Sequence, residues 1–336
     1  MRVALIGDFK GQNDEGMRHI SHTIARRVGA IHTTLEIHTR FAFSSKTLRQ
    51  LAQFKPDIIH YLTGPTVRSW LILFLYKNFL RGSFTISSAV RPFFKPSQYW
   101  LLRFLKPDLV LTQDARWEQV FIRQGAKVIF LPNGVELERF KPLDAARVKI
   151  IRAEYKIRED ARIVLHVGHI RMNRNLELLT ALHGKGNIEV VVVGSTAFPP
   201  DPAIRQLLHE RGIRILEGYI PKIEEVYACA ELYVFPVQIP GELPQHYDQV
   251  GVIDMPLSVL EAMACNVPVV TTASPALQRV FTADEGLRWF DGTAEDCLAQ
   301  MQNINFMRVN NRAKVEPLDW SQVIAQLDQI YKDCVA

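Results

Sequence analysis

The stretch "MPLSVLEAMACNVPVVTT", Met255 to Thr272, is apolar almost throughout, yet it carries one carboxylate, Glu261. A lone acid between a short helical run and a strand has two physical readings. Ser258-Val-Leu-Glu261 fits the S-x-x-E capping box, in which the Glu side chain bonds back to the backbone N–H of the cap. An ionised carboxyl at a helix start can instead accept two hydrogen bonds from a vicinal diol such as a ribose. Spacing leaves both open. Upstream, "RIVLHVGHI" reads as a strand running into "RMNRN", which sets His169, Arg171 and Arg174 at a strand's carboxyl end, just before a helix. Cations there, added to helix-start N–H groups, suit a phosphate or diphosphate. Solvated loop arginines are the bland reading of the same residues. "VVVVGSTAF" ends a strand in Gly194 and Ser195, where glycine lets a backbone approach a ligand closely. "LEGYI" ends another in Gly218 and Tyr219, where a ring can meet a flat base or simply pack a turn.

Such residues act together only if the fold gathers strand ends. The first half alternates strands ("RVALIGDF", "PDIIHYL", "SFTISSA", "PDLVLTQD", "KVIFLPNGV") with helical patterns ("EGMRHISHTIARRVG", "SWLILFLYKNFL", "PSQYWLLRFL", "ARWEQVFIRQG"). After the charged stretch "LDAARVKIIRAEYKIREDA" the alternation restarts and runs to "VPVVTT". Alternation of this kind predicts parallel sheets covered by helices on both faces. The fold class expected is therefore α/β, with two doubly wound Rossmann-like domains over residues 1–145 and 146–319. The closing "LDWSQVIAQLDQIYKDCV" has Val323, Ile324, Leu327, Ile330 and Tyr331 on one face of an amphipathic helix, with Ser321 as its cap. Ligands of open parallel sheets bind outside the carboxyl ends of the strands, so a cleft between two such domains is where chemistry is expected.

At 336 residues the chain is long enough for two cores. Its four cysteines form no CxxC pair, and no histidines cluster with them, which argues against a zinc site or a disulfide framework and fits a reducing cytosol. The start, "MRVALIGDF", reads as a first strand, and no run approaches the roughly 20 apolar residues of a membrane span. The net charge of +5 hides an asymmetry. Residues 1–145 carry 21 Lys/Arg and 11 Asp/Glu, hence +10, and residues 146–336 carry 19 and 24, hence −5. No acid occurs between Asp57 and Asp108, whereas Arg68, Lys77, Arg81, Arg91, Lys95, Arg103 and Lys106 are interleaved there with aromatics. Cations mixed with aromatics across residues 68–106 suit an anionic membrane surface. The alternative is that many of these rings are core. No recognition motif accompanies the charge, so nucleic acid is not expected as a partner.

In combination these motifs resemble the retaining glycosyltransferases of family 4, enzymes of the GT-B fold. "LPNGVELERFKP" (Leu131 to Pro142) looks like the interdomain signature of that family, and "HVGHIRMNRNLELL" like its phosphate-binding strand, loop and helix. "GYIPKIEEVYACAELYVFPV" is similar to its base-binding segment, and "PLSVLEAMACNVPVVTT" to the second half of its Glu-x7-Glu motif. "DWSQVIAQLDQIY" resembles its last helix, about 320–336, which crosses back onto the first domain. The resemblance spans essentially the whole chain and is strongest over residues 131–272. It implies that a first, acceptor-binding domain and a second, nucleotide-sugar-binding domain face each other across a cleft. The implied reaction moves a sugar from a nucleotide-sugar to an acceptor with retention, without a metal or other cofactor. A lipid-linked or anionic glycan acceptor at the cytosolic membrane face is expected, for a cytoplasmic, peripherally membrane-associated enzyme. A nucleotide-sugar epimerase of the same fold and a catalytically silent nucleotide-sugar-binding protein are the alternatives.

Carried over residue by residue, Arg171 and Arg174 hold the diphosphate, His169 stands where the family has an arginine, and Glu261 binds the ribose. Ser258, Gly194, Ser195, Gly218 and Tyr219 complete the donor side, and Gly16 matches the family's N-terminal glycine loop. The first Glu of the motif falls on Ile253, so Asp254 is the nearest carboxylate to take over its sugar contact in an Asp-x6-Glu spacing. A long loop, Gln238 to Ile253, brings Glu242, His246 or Asp248 into consideration. His60, Ser88 and Arg91 fall on the acceptor side. Asn266 replaces the glycine common after the helix, as a residue tolerant of the left-handed conformation.

Overall fold

The computed structural model of the chain describes residues 1–11, 15–238, 242–243 and 254–336. They divide into two compact units. The first comprises Met1–Asn133, Pro240–Met255 and Ser321–Ala336, and the second Gly134–Ile239 and Pro256–Trp320. The division therefore falls at Asn133/Gly134, inside the "LPNGVELERFKP" signature and twelve residues before the boundary expected from the alternation pattern. The charged stretch after it belongs wholly to the second unit. Asp254 and Met255, expected in the second domain, are counted with the first unit.

The first unit holds a parallel six-stranded sheet of β1 (Arg2–Gly7), β2 (Thr33–His38), β3 (Ile58–Tyr61), β4 (Phe84–Ala89), β5 (Leu109–Thr112) and β6 (Val128–Phe130), in the order β2-β1-β3-β4-β5-β6. Its helices are α1 (Gly16–Gly29), α2 (Ser45–Phe54), α3 (Val67–Phe79), α4 (Tyr99–Leu105) and α5 (Ala115–Arg123). Central strands are apolar continuously, not alternately, because helices cover both faces of the sheet: Val3 to Ile6 of β1 are all fully buried. One core cluster joins Ala4, Ile6, Leu51, Ile59, Leu73 and Tyr76, and a second packs Trp70, Phe94, Trp117 and Phe121 edge-on and stacked.

The second unit begins with α6 (Ala145–Glu154) and builds its sheet from β7 (Arg162–Gly168), β8 (Ile188–Gly194), β9 (Arg214–Leu216), β10 (Leu232–Phe235), β11 (Val269–Thr272) and β12 (Leu287–Phe290). The order is β12-β11-β10-β7-β8-β9, again all parallel. The interleaved helices are α7 (Glu177–Leu182), α8 (Pro202–Glu210), α9 (Ile223–Ala228), α10 (Leu257–Ala264), α11 (Pro275–Val280), α12 (Ala294–Gln302) and α13 (Asn311–Val315). The chain leaves β7 in one direction to β8 and β9, then crosses back to β10 on the other side. The switch point, where open sheets of this kind bind ligands, lies between β7 and β10.

Two local details follow from the sequence. Asn266 ends α10 with φ +57°, the left-handed conformation expected of it, and its side-chain oxygen accepts from the Arg312 backbone N–H at 3.2 Å. Gly134 has a packing reason: a Cβ there would stand 2.5 Å from the Trp320 ring. The last helix, α14 (Trp320–Val335), starts before Ser321, so Ser321 lies inside it and does not cap it. From Ser321 onward α14 is part of the first unit, as the resemblance implied, and buries Val323, Ile324, Leu327 and Tyr331 there.

Candidate donor site

β7 ends in Gly168, paired in register with Gly194 at the end of β8. The chain then passes His169 and Arg171 and makes a single 3-10 turn, Met172–Arg174. Asn175 closes the turn at φ +54°. Its amide donates to Pro236 O at 3.3 Å, just beyond β10, and to Gly292 O at 2.9 Å, just beyond β12. Asn175 therefore ties the loop after β7 to the ends of two other strands. The Ser195 backbone N–H closes the other side by donating to Gly168 O at 3.2 Å.

Around this loop the side chains sort into two groups. Arg171 is exposed and lies over the Phe198 ring at 4.6 Å, and His169 meets the same ring edge-on at 5.3 Å. Arg174 is half-buried and turned inward. Its charge helps to depress the buried His166 imidazole, and weakly opposes the burial that pushes the Tyr233 phenol up. His166 is fully buried and stacks on Tyr233. Its Nδ1–H donates to Val234 O at 3.0 Å, which leaves Nε2 as a buried lone pair without a hydrogen-bond partner. Burial, and secondarily Arg174, hold its pKa down to about 4, so the ring is neutral. Tyr233 also donates to Val167 O at 3.3 Å and hydrogen-bonds Ser258 of α10.

Glu261 stands one turn further along α10. The helix begins at Leu257 with Pro256 as its N-cap, so Ser258 is an interior residue and the capping-box reading is not realised. Glu261 is half-buried beside the buried Tyr227 hydroxyl, which lies outside good hydrogen-bond geometry. Burial pushes its carboxyl up to about 7, against the opposing pull of Tyr227 and Arg139. Tyr227 and Tyr233 lie 5.8 Å apart, so a pair of buried tyrosines links the surroundings of Arg174 and Ser258 to those of Glu261.

The remaining expectations are placed differently. Gly218, at φ +90° with open space around it, and Tyr219 follow the edge strand β9, two strands from β7, and both are exposed. Asp254 lies in the first unit, where its backbone N–H donates to Val90 O at 2.9 Å. Its Oδ2 is buried without a hydrogen-bond partner. Burial, then the Asp114 carboxylate, push Asp254 well above the usual carboxylate range, with Arg116 opposing. Gly16 opens α1. Glu242 offers its carbonyl to Arg116 at 3.3 Å, while His246, Asp248 and Ile253 lie outside the described residues.

On the acceptor side, two positions are tied into the fold. His60 is fully buried, with Nδ1 2.6 Å from the Tyr331 hydroxyl of α14 and Nε2 2.8 Å from Ser88 Oγ. Burial lowers its pKa to about 3. Both ring nitrogens are spoken for within the fold, so His60, with Ser88 behind it, clamps α14 onto the sheet. Arg91, just past β4, is half-buried, and its backbone N–H donates to Gly64 O at 2.9 Å. The residue-level reading missed His166, Tyr233, Tyr227, Phe198 and Asn175. One signal was available: His166 and Gly168 share a face of β7, and a polar ring two residues before a strand-ending glycine points toward the same end.

Residues 161–304 match the family model described as Glycosyl transferases group 1. The resemblance to family 4 read from the motifs is borne out, as is the expected pair of Rossmann-like folds. The chain is 24% identical over 316 residues to the sulfoquinovosyl transferase of Arabidopsis thaliana, covering 83% of this chain and 57% of that protein. It is 27% identical over 188 residues to a D-inositol 3-phosphate glycosyltransferase of Mycobacteroides abscessus, covering 53% and 39%. It thus spans about half the length of the curated relatives it matches. Among solved structures it shares the fold of a sucrose-phosphate synthase from Thermosynechococcus elongatus, with a TM-score of 0.76 at 18% identity over 99% and 98% of the two chains. It shares it likewise with HepE of Anabaena in complex with UDP-glucose, with a TM-score of 0.75 at 14% identity over 99% and 100%.

Proposed function

We propose that the protein is a retaining glycosyltransferase that moves a sugar from a nucleotide-sugar to an acceptor without a metal ion. The acceptor in this reading is a lipid-linked or anionic glycan at the cytosolic face of a membrane. What carries the reading is the gathering of Arg174, Ser258 and Glu261 around the Tyr233/Tyr227 pair, at the switch point of the second sheet. Arg171 and Arg174 take the diphosphate, and Glu261, once ionised, accepts from the ribose diol. The bond from the anomeric carbon to the phosphate oxygen breaks as the acceptor oxygen bonds to the same face of the sugar, and the leaving phosphate takes the acceptor's proton. The charge developing on that phosphate is where fixed guanidinium groups lower the barrier most. Asp254 is assigned to a sugar hydroxyl. The group 1 family match supports transfer chemistry, and the UDP-glucose complex of the similarly folded HepE supports a nucleotide-sugar donor.

A thermal-shift screen of nucleotide-sugars tests this. A true donor at 100 times its Kd stabilises by about 2.7 kcal/mol. Arg174→Ala and Glu261→Ala are expected to lose most of that response. No response from the wild type, or equal responses from both variants, overturns the site. Interconversion of the donor sugar without acceptor makes the protein an epimerase, and binding without turnover across an acceptor panel makes it a silent binder.

A further inference from the structure

Helix α3 carries large apolar side chains on its exposed side as well as on the face it buries. Trp70, Ile72, Leu73 and Tyr76 are buried in the first unit, whereas Leu71, Phe74, Leu75 and Phe79 form an exposed stripe on the opposite side. The packed neighbour, α4, continues the stripe with Trp100 and Phe104, one turn apart and edge-to-face at 6.3 Å. Phe79, Trp100 and Phe104 are 63%, 63% and 64% exposed. A contiguous exposed apolar stripe of this kind marks a surface that meets protein or lipid. With 13 residues, α3 is far short of the roughly 20 a bilayer span requires, and among the described residues no helix is long and apolar enough to cross a membrane.

The charges around the stripe decide what covers it. Arg68, Arg81, Lys95 and Arg103 are exposed around it, and the sequence places no acid between Asp57 and Asp108. Lys77 is the exception, since it is bonded to Asp108. A second copy of the chain related by a two-fold axis would set these cations against the same cations. An anionic bilayer supplies both an interfacial layer for Trp and Phe rings and negative charge for the arginines.

We propose that the α3–α4 ridge is the surface by which the protein lies on an anionic bilayer, an inference that rests on the membrane-presented acceptor above. Vesicle flotation of the full chain tests it, using neutral phosphatidylcholine or the same lipid with about one molecule in three replaced by phosphatidylglycerol. Binding is expected to the anionic vesicles only, and to fall as salt rises. The Phe79→Ser/Trp100→Ser/Phe104→Ser variant is expected to bind at least tenfold more weakly. Arg68→Gln/Arg81→Gln/Arg103→Gln should lose roughly fivefold per cation removed. Both variants should keep the wild-type melting temperature and nucleotide-sugar response. Vesicle binding equal to wild type in both variants overturns the ridge. So does wild-type self-association in size-exclusion chromatography that the aromatic variant abolishes, which would make the ridge a contact between copies. Loss of the nucleotide response with vesicle binding intact would overturn the transfer reading and leave the ridge standing.

Discussion

Glu261 shows how far a residue type can be read without its surroundings. The S-x-x-E spacing fits a capping box, but Pro256 takes the cap position and the helix begins one residue before Ser258. What sets the character of Glu261 is the buried tyrosine beside it, supplied by α9 about thirty residues upstream and invisible to local spacing. Its elevated pKa gives a directional prediction. The carboxylate, not the acid, accepts from both ribose hydroxyls, and a group with pKa about 7 ionises across the neutral range. Nucleotide-sugar affinity should therefore rise between pH 6 and pH 8, by up to about tenfold if the carboxylate accounts for roughly 1.4 kcal/mol of binding. Titration calorimetry across that range checks this, and Glu261→Gln should flatten the profile. A wild-type profile already flat would remove Glu261 from the ribose.

At the scale of elements, every central strand, with two covered faces, was legible in the sequence. β3, β5, β8, β10 and β11 are continuous buried apolar runs, and each was legible from "PDIIHYL", "PDLVLTQD", "IEVVVVGS", "LYVFPV" and "VPVVTT". The two strands overlooked, β2 and β12, sit at sheet edges, as do β6 and β9, whose more apolar runs "KVIF" and "IRIL" were legible. The overlooked two have mixed, half-exposed patterns, "TTLEIH" and "LRWF", because an edge strand is only partly enclosed and less apolar sequence is required of it. The amphipathic face of α14 was equally legible. That its Tyr331 reaches His60 was not, since the contact spans 271 positions. Removing that hydroxyl in Tyr331→Phe leaves a buried imidazole nitrogen without its partner, and should cost about 1–3 kcal/mol in urea denaturation. No change in the denaturation midpoint would mean that the bond adds nothing to the fold.

At the scale of the molecule, the first unit is assembled from three separated stretches of chain. The alternation pattern gave two domains but placed the division too late, because the signature after β6 reads as one segment while its first residues pack with one unit and its last with the other. Deleting residues 321–336 removes four buried side chains from the first unit, worth about 1.5–3 kcal/mol apiece. That is most of a typical domain stability of about 5–15 kcal/mol. Limited proteolysis of the truncated chain should cut within residues 1–133 and spare residues 134–238. Equal resistance in both regions would show that α14 is dispensable.

The placement of Tyr331 also sets a timetable for biosynthesis. All six strands of the first sheet have been polymerised once Asn133 is added, yet the hydroxyl that meets His60 is still 198 residues away. At about 5–20 residues per second that is a wait of roughly 10–40 seconds. Throughout it the surface destined for Val323, Ile324 and Leu327 lies bare on the ribosome-bound chain, and a chaperone that shields nascent apolar surface has its longest opportunity there.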